Sequence, residues 1–202
     1  MKMKMMLSVA IVMAVLLSGC GGKQQVRSGF LSDYSKLKRE SDSSLRYVNE
    51  QVIAQYSGYI VDPVKVSFQN DPKSDNKLSG EQITDLTNYM HSKILEAVQG
   101  AGKQVVYQPA AGVARIRVAL TDIEKTSAVN MIPQASLLGA GIGGASMEAE
   151  VLDSITGKQI GAVVESGKGS RIPFTNLGDW TAAKGVMDSW ADRFKKRLEE
   201  SR

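Results

Sequence analysis

The side chains with chemistry to offer are few in this 202-residue chain, which holds one cysteine, Cys20, and one histidine, His91. A serine or cysteine nucleophile needs an adjacent base, and a zinc site needs three or four nitrogen, sulfur or oxygen ligands. With a single imidazole and no G-x-S-x-G or H-E-x-x-H run, those common routes are closed. Asp122 and Glu124, two apart, fall on one side of a strand and offer carboxylate-only chemistry, although such a pair is ordinary on a wet surface. Gly139, Gly141 and Gly144 satisfy G-x-G-x-x-G, but a dinucleotide site requires a strand before and a helix after, so that phosphates meet helix N–H groups. Met147 to Asp153 alternates as a strand instead, and the cofactor reading falls. The acidic loop with Asp71, Asp75 and Asn76 lacks the ligand alternation, central glycine and distal glutamate of an EF-hand. The expectation is a protein that is not an enzyme, with no metal site and no diffusible cofactor.

Cys20 has a different chemistry. Lys2 and Lys4 open the chain, an apolar run of about 13 residues follows, and Leu17-Ser18-Gly19 precedes the cysteine. A membrane-spanning helix needs about 20 apolar residues, so this run is too short to remain as one. An ordinary secretory signal and a short buried helix with a core thiol are the plain alternatives. Leu-Ser-Gly-Cys, however, resembles the lipobox of bacterial lipoproteins, in which Leu17, Ser18 and Gly19 are the signal-peptidase recognition residues. That resemblance implies a thioether-linked lipid on Cys20, the acylated first residue of the mature chain and the only non-protein group expected. One acyl chain binds a membrane marginally, whereas two or more hold it stably. Gly21, where an aspartate would signal otherwise, implies the outer membrane with the domain facing the periplasm.

The elements behind the anchor follow from pattern. A 1–19 signal and a polar, glycine-bearing tether over 20–29 leave a domain of ordinary single-core size. The formal charge of +4 shrinks when Lys2 and Lys4 leave, and no basic stripe with interleaved aromatics argues for nucleic acid. Phe30, Leu31, Tyr34 and Leu37 recur at a spacing of three to four and predict a short helix; Lys38 to Ser44 reads as an exposed loop; Asn49 is an N-cap type before Val52, Ile53 and Tyr56. Residues 30–57 therefore read as an arm with short helices, and 58–202 as the α+β domain. Within it, Val64, Val66 and Phe68 predict a strand. Ser79 and Gln82 form a capping box before a helical stripe of Ile83, Leu86, Met90 and Ile94. Ala114, Ile116, Val118 and Leu120 alternate with Arg115 and Arg117, and Met147, Ala149 and Val151 alternate with Glu148 and Glu150. Antiparallel pairing would set Arg-x-Arg against Glu-x-Glu on the outer side of the sheet, each ion pair worth about 0.2–1 kcal/mol. Trp180, Ala183, Met187, Trp190, Phe194 and Leu198 predict a C-terminal amphipathic helix. The expected fold is an α+β two-layer sandwich: a mainly antiparallel sheet of four to five strands with two amphipathic helices on one face.

The segments Ser28-Gly29-Phe30-Leu31-Ser32-Asp33-Tyr34, Tyr47-Val48-Asn49, Val61-Asp62-Pro63-Val64, Ala119-Leu120-Thr121-Asp122 and Gly144 to Gly157 together resemble the domain of unknown function 3313 family of bacterial lipoproteins. The resemblance spans nearly all of the mature chain. It implies a lipoprotein and supplies no catalytic residues. The reading that results is a membrane-anchored envelope lipoprotein whose non-catalytic periplasmic domain binds an unidentified envelope protein. Leu137, Leu138, Gly139, Gly141, Ile142, Gly143 and Gly144, in the long connection between the Arg and Glu strands, are the expected contact with partner or membrane. The alternative is a membrane-active oligomer, or a transport or secretion accessory, using the glycine-rich hairpin at 131–146.

Overall fold

The computed structural model describes residues 27–68, 78–127, 132–134, 138, 142–171 and 178–201. Eight strands make one sheet: β1 Lys38–Ser41, β2 Ser44–Val48, β3 Gly58–Val61, β4 Lys65–Val66, β5 Gln104–Val105, β6 Val113–Glu124, β7 Gly144–Asp153 and β8 Gln159–Lys168. The sheet is accompanied by the helices α1 Glu50–Ile53, α2 Gly80–Gly100 and α3 Thr181–Glu200. The strand order is β1-β2-β8-β7-β6-β3-β5, with β4 also paired to β6.

The α+β class holds, but the sheet is larger than four to five strands and is mixed. β3 runs parallel to both β5 and β6, and β4 runs parallel to β6. The reason lies in α2, which stands between β3–β4 and β5–β6 in the chain. A helical crossover returns the chain in the same direction, so the strands on either side of it become parallel neighbours. The remaining pairs, β1–β2, β2–β8, β6–β7 and β7–β8, are antiparallel.

Local chemistry sets the helix ends. Ser79 Oγ accepts from Gln82 N at 3.2 Å while Gln82 Oε1 accepts from Ser79 N at 2.9 Å, the reciprocal capping box. Asn49 caps α1 one way only, its Oδ1 accepting from Val52 N at 3.3 Å. From α2 the residues Leu86, Met90, Ile94 and Val98 enter one core with Ala183, Val186, Met187, Trp190 and Leu198 of α3 and with Ile116, Val118, Leu120 and Met147 of the sheet. Both long helices thus share one face, as the pattern predicts. Each large apolar side chain buried there contributes about 1.5–3 kcal/mol.

The opposite face is covered by residues 28–37. Leu31 is buried with Ala162 and Val164, and Phe30, Tyr34, Leu37 and Leu45 pack around them. No helix forms over Phe30–Leu37, and Lys38–Ser44 is the β1–β2 hairpin rather than a loop. Through β2 the supposed arm is itself part of the sheet.

Candidate functional site

Two carboxylates stand where strand alternation points away from the helices. Glu148 and Glu150 on β7 are wholly buried, at 0% and 1% exposure. Burying a carboxylate is costly unless donors surround it, and the N-terminal segment brings them. Glu148 accepts from Ser28 N at 2.6 Å, Ser28 Oγ at 2.8 Å and Tyr34 Oη at 2.5 Å. Glu150 accepts from Ser32 N at 2.9 Å, Ser32 Oγ at 2.7 Å and Gln159 Nε2 at 2.9 Å, and pairs with Arg117 at 2.5 Å. The Arg117 guanidinium also lies over the Phe30 ring, 4.9 Å from its centroid. Burial and the bond to Glu148 hold the Tyr34 phenol above its ordinary pKa, so it stays a donor.

This clamp amends the expected pairing of Arg-x-Arg with Glu-x-Glu. Arg117 does lie opposite Glu150 in the β6–β7 register, but Glu148 faces Ala119 and Arg115 faces Leu152. Arg115 pairs with Asp62 at 2.6 Å instead. The outer side of this part of the sheet is covered by residues 28–37, which include the end of the expected tether.

On the helix side, a half-open cleft of about 280 Å³ lies between the sheet and the helices. Ile94, Val118, Ala149, Val163, Trp190 and Phe194 are among the side chains lining it. Its charged lining residues are balanced in pairs. Arg46 meets Glu40 at 2.9 Å and Glu50 at 3.4 Å, Arg193 pairs with Glu165, and Arg197 meets Glu40 at 3.3 Å.

The model of the family described as "Protein of unknown function (DUF3313)" matches residues 26–194. The chain belongs to that family. No curated relative matches the sequence. Among solved structures, the PelC dodecamer from Paraburkholderia phytofirmans is similar at 12% identity and a TM-score of 0.47, with 78% of this chain and 96% of that one covered. Protein XCC0632 from Xanthomonas campestris is similar at 11% identity and a TM-score of 0.39, covering 72% and 78%. A minor lipoprotein from Acinetobacter baumannii is similar at 9% identity and a TM-score of 0.30, covering 72% and 92%. These likenesses are too distant to carry over an assembly or a role.

In this DUF3313 protein only some of the residues expected to form sites are among the described residues. Leu17, Ser18, Gly19, Cys20, Leu137, Gly139 and Gly141 lie outside the described residues, as does the acidic loop of Asp71, Asp75 and Asn76. Leu138 is 85% exposed, whereas Ile142 is buried. Gly143 takes φ +69°, and a Cβ there would stand 2.9 Å from the Glu124 carbonyl oxygen. Gly144 opens β7, where a Cβ would overlap the Gly167 carbonyl oxygen. These two glycines are therefore built into the hairpin for backbone reasons. Asp122 is exposed, and Glu124 pairs with Lys168. His91 is half-buried on α2, 3.4 Å from the Val61 carbonyl oxygen, a boundary position. The clamp residues Ser28, Ser32 and Tyr34 escaped notice as site residues. Their signal was the joint presence of Gly-Phe-Leu-Ser-Asp-Tyr and Glu-x-Glu, which the fold explains as two halves of one contact.

Proposed function

We propose that this protein is a non-catalytic lipoprotein of the bacterial cell envelope, held in the outer membrane by a lipid on Cys20 and presenting its α+β domain to the periplasm, where it binds another envelope component. The observation that carries the reading is the clamp. The segment that begins eight residues after Cys20 is fastened to the middle of the sheet through Ser28, Ser32 and Tyr34. Such a fastening brings the start of the described chain to the sheet face opposite the long helices. Exposed Ile132 and Leu138, at 53% and 85%, support the long β6–β7 connection as the place where a partner docks.

Labelling growing cells with radioactive palmitate tests the anchor. The wild-type chain takes up label and sediments with outer-membrane fractions, while Cys20→Ser loses both properties; label retained by Cys20→Ser overturns the assignment. For the partner, Leu138→Glu is a cleaner probe than substitution of Gly143 or Gly144. Loss of a site-specific cross-link from position 132 in a folded Leu138→Glu protein supports docking there, and an unchanged cross-linking pattern rejects it.

A further inference from the structure

From Thr126 to Met147 the sequence runs for 22 residues without an Asp, Glu, Lys or Arg, in a chain of which 23% is charged, and it holds no longer run of that kind. The run contains the connection between β6 and β7, and two of its large apolar side chains stand in the open, Ile132 at 53% exposure and Leu138 at 85%. A single exposed apolar residue is ordinary; Ile155 at the β7–β8 turn is one, and it stands between Asp153 and Lys158. Two within one charge-free run mark a contact. The cations at the margins of the run are neutralised within the chain, Lys125 by Asp179 at 2.8 Å and Lys168 by Glu124. A protein interface carries a polar rim around its apolar core, and this run brings no charge to such a rim. The edge of a bilayer's acyl region asks for the opposite, apolar side chains and no charge.

The covalent reach of the anchor favours the same occupant. Seven residues separate Cys20 from Arg27, so Arg27 lies no more than about 25 Å from the cysteine even at full extension. Ser28 is bonded to Glu148, four residues along β7 from Gly144, where the connection joins the strand, a distance of roughly 13 Å. We infer that the envelope component met by Ile132 and Leu138 is the phospholipid bilayer itself, both side chains entering the outer edge of its acyl region. The inference rests on the lipid anchor at Cys20 and gives the anchored domain a second, apolar point of attachment. Two side chains support an interfacial contact and not a crossing. Because Lys125 and Lys168 are already paired, the contact does not depend on anionic lipid.

A diazirine amino acid placed at position 132 of the full chain, in cells grown on radioactive phosphate, reads the contact directly. A thioether-linked diacylglycerol on Cys20 carries no phosphorus, so label that appears on irradiation reports phospholipid at position 132 and not the anchor. The expected yield is at least about fivefold above that from the same group at position 155, and Leu138→Glu should lower it about fivefold or more without lowering the melting temperature. If Leu138→Glu does lower that temperature, Leu138→Ser is the second variant. In purified protein reconstituted into phosphatidylcholine vesicles, exchanging part of the lipid for phosphatidylglycerol should leave the yield unchanged. Label no higher at 132 than at 155, label unaltered by a folded Leu138 variant, or a yield that requires the anionic lipid overturns the inference. So does an adduct formed with protein alone, which leaves the docking of a protein partner standing. A wild-type chain that fails to sediment with membranes removes the anchor and this contact together.

Discussion

Glu148 and Glu150 occupy positions that the interior of a sheet would ordinarily give to valine; the donors of Glu148 come from the N-terminal segment, and those of Glu150 from that segment together with Gln159 and Arg117. Glu148 has Ser28 N, Ser28 Oγ and Tyr34 Oη. Truncating it leaves three half-buried donors without their acceptor, so Glu148→Ala should weaken docking of the segment by about 1–3 kcal/mol. Tyr34→Phe removes one hydroxyl that donates to Glu148 and accepts from the Gly29 and Leu31 N–H groups, and should cost about 1–2 kcal/mol. Because the loss falls on one segment, the informative measurement is limited trypsin digestion at Lys36, Lys38 and Arg39. Faster cleavage in the order wild type, Tyr34→Phe, Glu148→Ala, with the rest of the chain still protected, is the expected result. Equal rates for all three would mean that the clamp does not hold the segment.

At the scale of elements, α3 sits on β8 at a glycine. A Cβ on Gly167 would lie 2.5 Å from Val186 Cγ1, and β-branched Val186 has little rotamer freedom on a helix to move aside. Gly167→Ala should therefore destabilise the domain by about 1–3 kcal/mol in urea denaturation. In the Val186→Ala background the same change should cost almost nothing, a non-additivity that marks the contact as the cause. Additive losses would place the strain elsewhere. Elements with a clear period were legible in the sequence: α2 from its capping box and apolar stripe, α3 from its tryptophans and alanines, and the β6–β7–β8 meander from strict alternation. β1 was not, because all four of its side chains are exposed and an edge strand of Lys38, Arg39, Glu40 and Ser41 has no buried face to alternate. The parallel strands β3 and β5 were too short, at four and two residues, to betray their order. Phe30, Leu31, Tyr34 and Leu37 imitate a helix by spacing alone. Their segment instead spends its N–H groups on side-chain oxygens, Ser28 on Glu148, Gly29 on Tyr34, Ser32 on Glu150 and Ser35 on Asp33, which leaves none of these four for a helical ladder. Half of the clamp was thus visible as Glu-x-Glu, and the other half was hidden by a misleading period.

The whole molecule is held at joints between distant segments, and several of those joints titrate. Tyr56 donates to Asp153 at 2.8 Å, tying the turn after α1 to the end of β7, and Tyr89 donates to Asp188 at 2.7 Å, tying α2 to α3. Burial, and then these carboxylates, push both phenols up to about 12, and burial does the same for Tyr59. In the unfolded chain a tyrosine titrates near 10.0. Between pH 10 and 12 the unfolded state therefore binds fewer protons than the folded one, and stability must fall as pH rises. On the acid side, hydrogen bonds from Thr156 and then Tyr56 lower Asp153 from 3.8 to about 2. That stabilisation is complete above about pH 4 and disappears as pH falls through 2. Urea midpoints should accordingly be flat across neutral pH, decline from pH 10 upward, and decline again below pH 4. Tyr89→Phe removes one of the alkaline groups while keeping the ring in place, so its midpoint should be lower at pH 8 but fall less steeply between pH 10 and 12. Asp153→Asn should flatten the acid limb and leave the alkaline limb sloping, because three of the four raised tyrosines, Tyr34, Tyr59 and Tyr89, do not touch Asp153. If Tyr89→Phe kept the wild-type alkaline slope, the joint between the two long helices would not be the place where the molecule senses base.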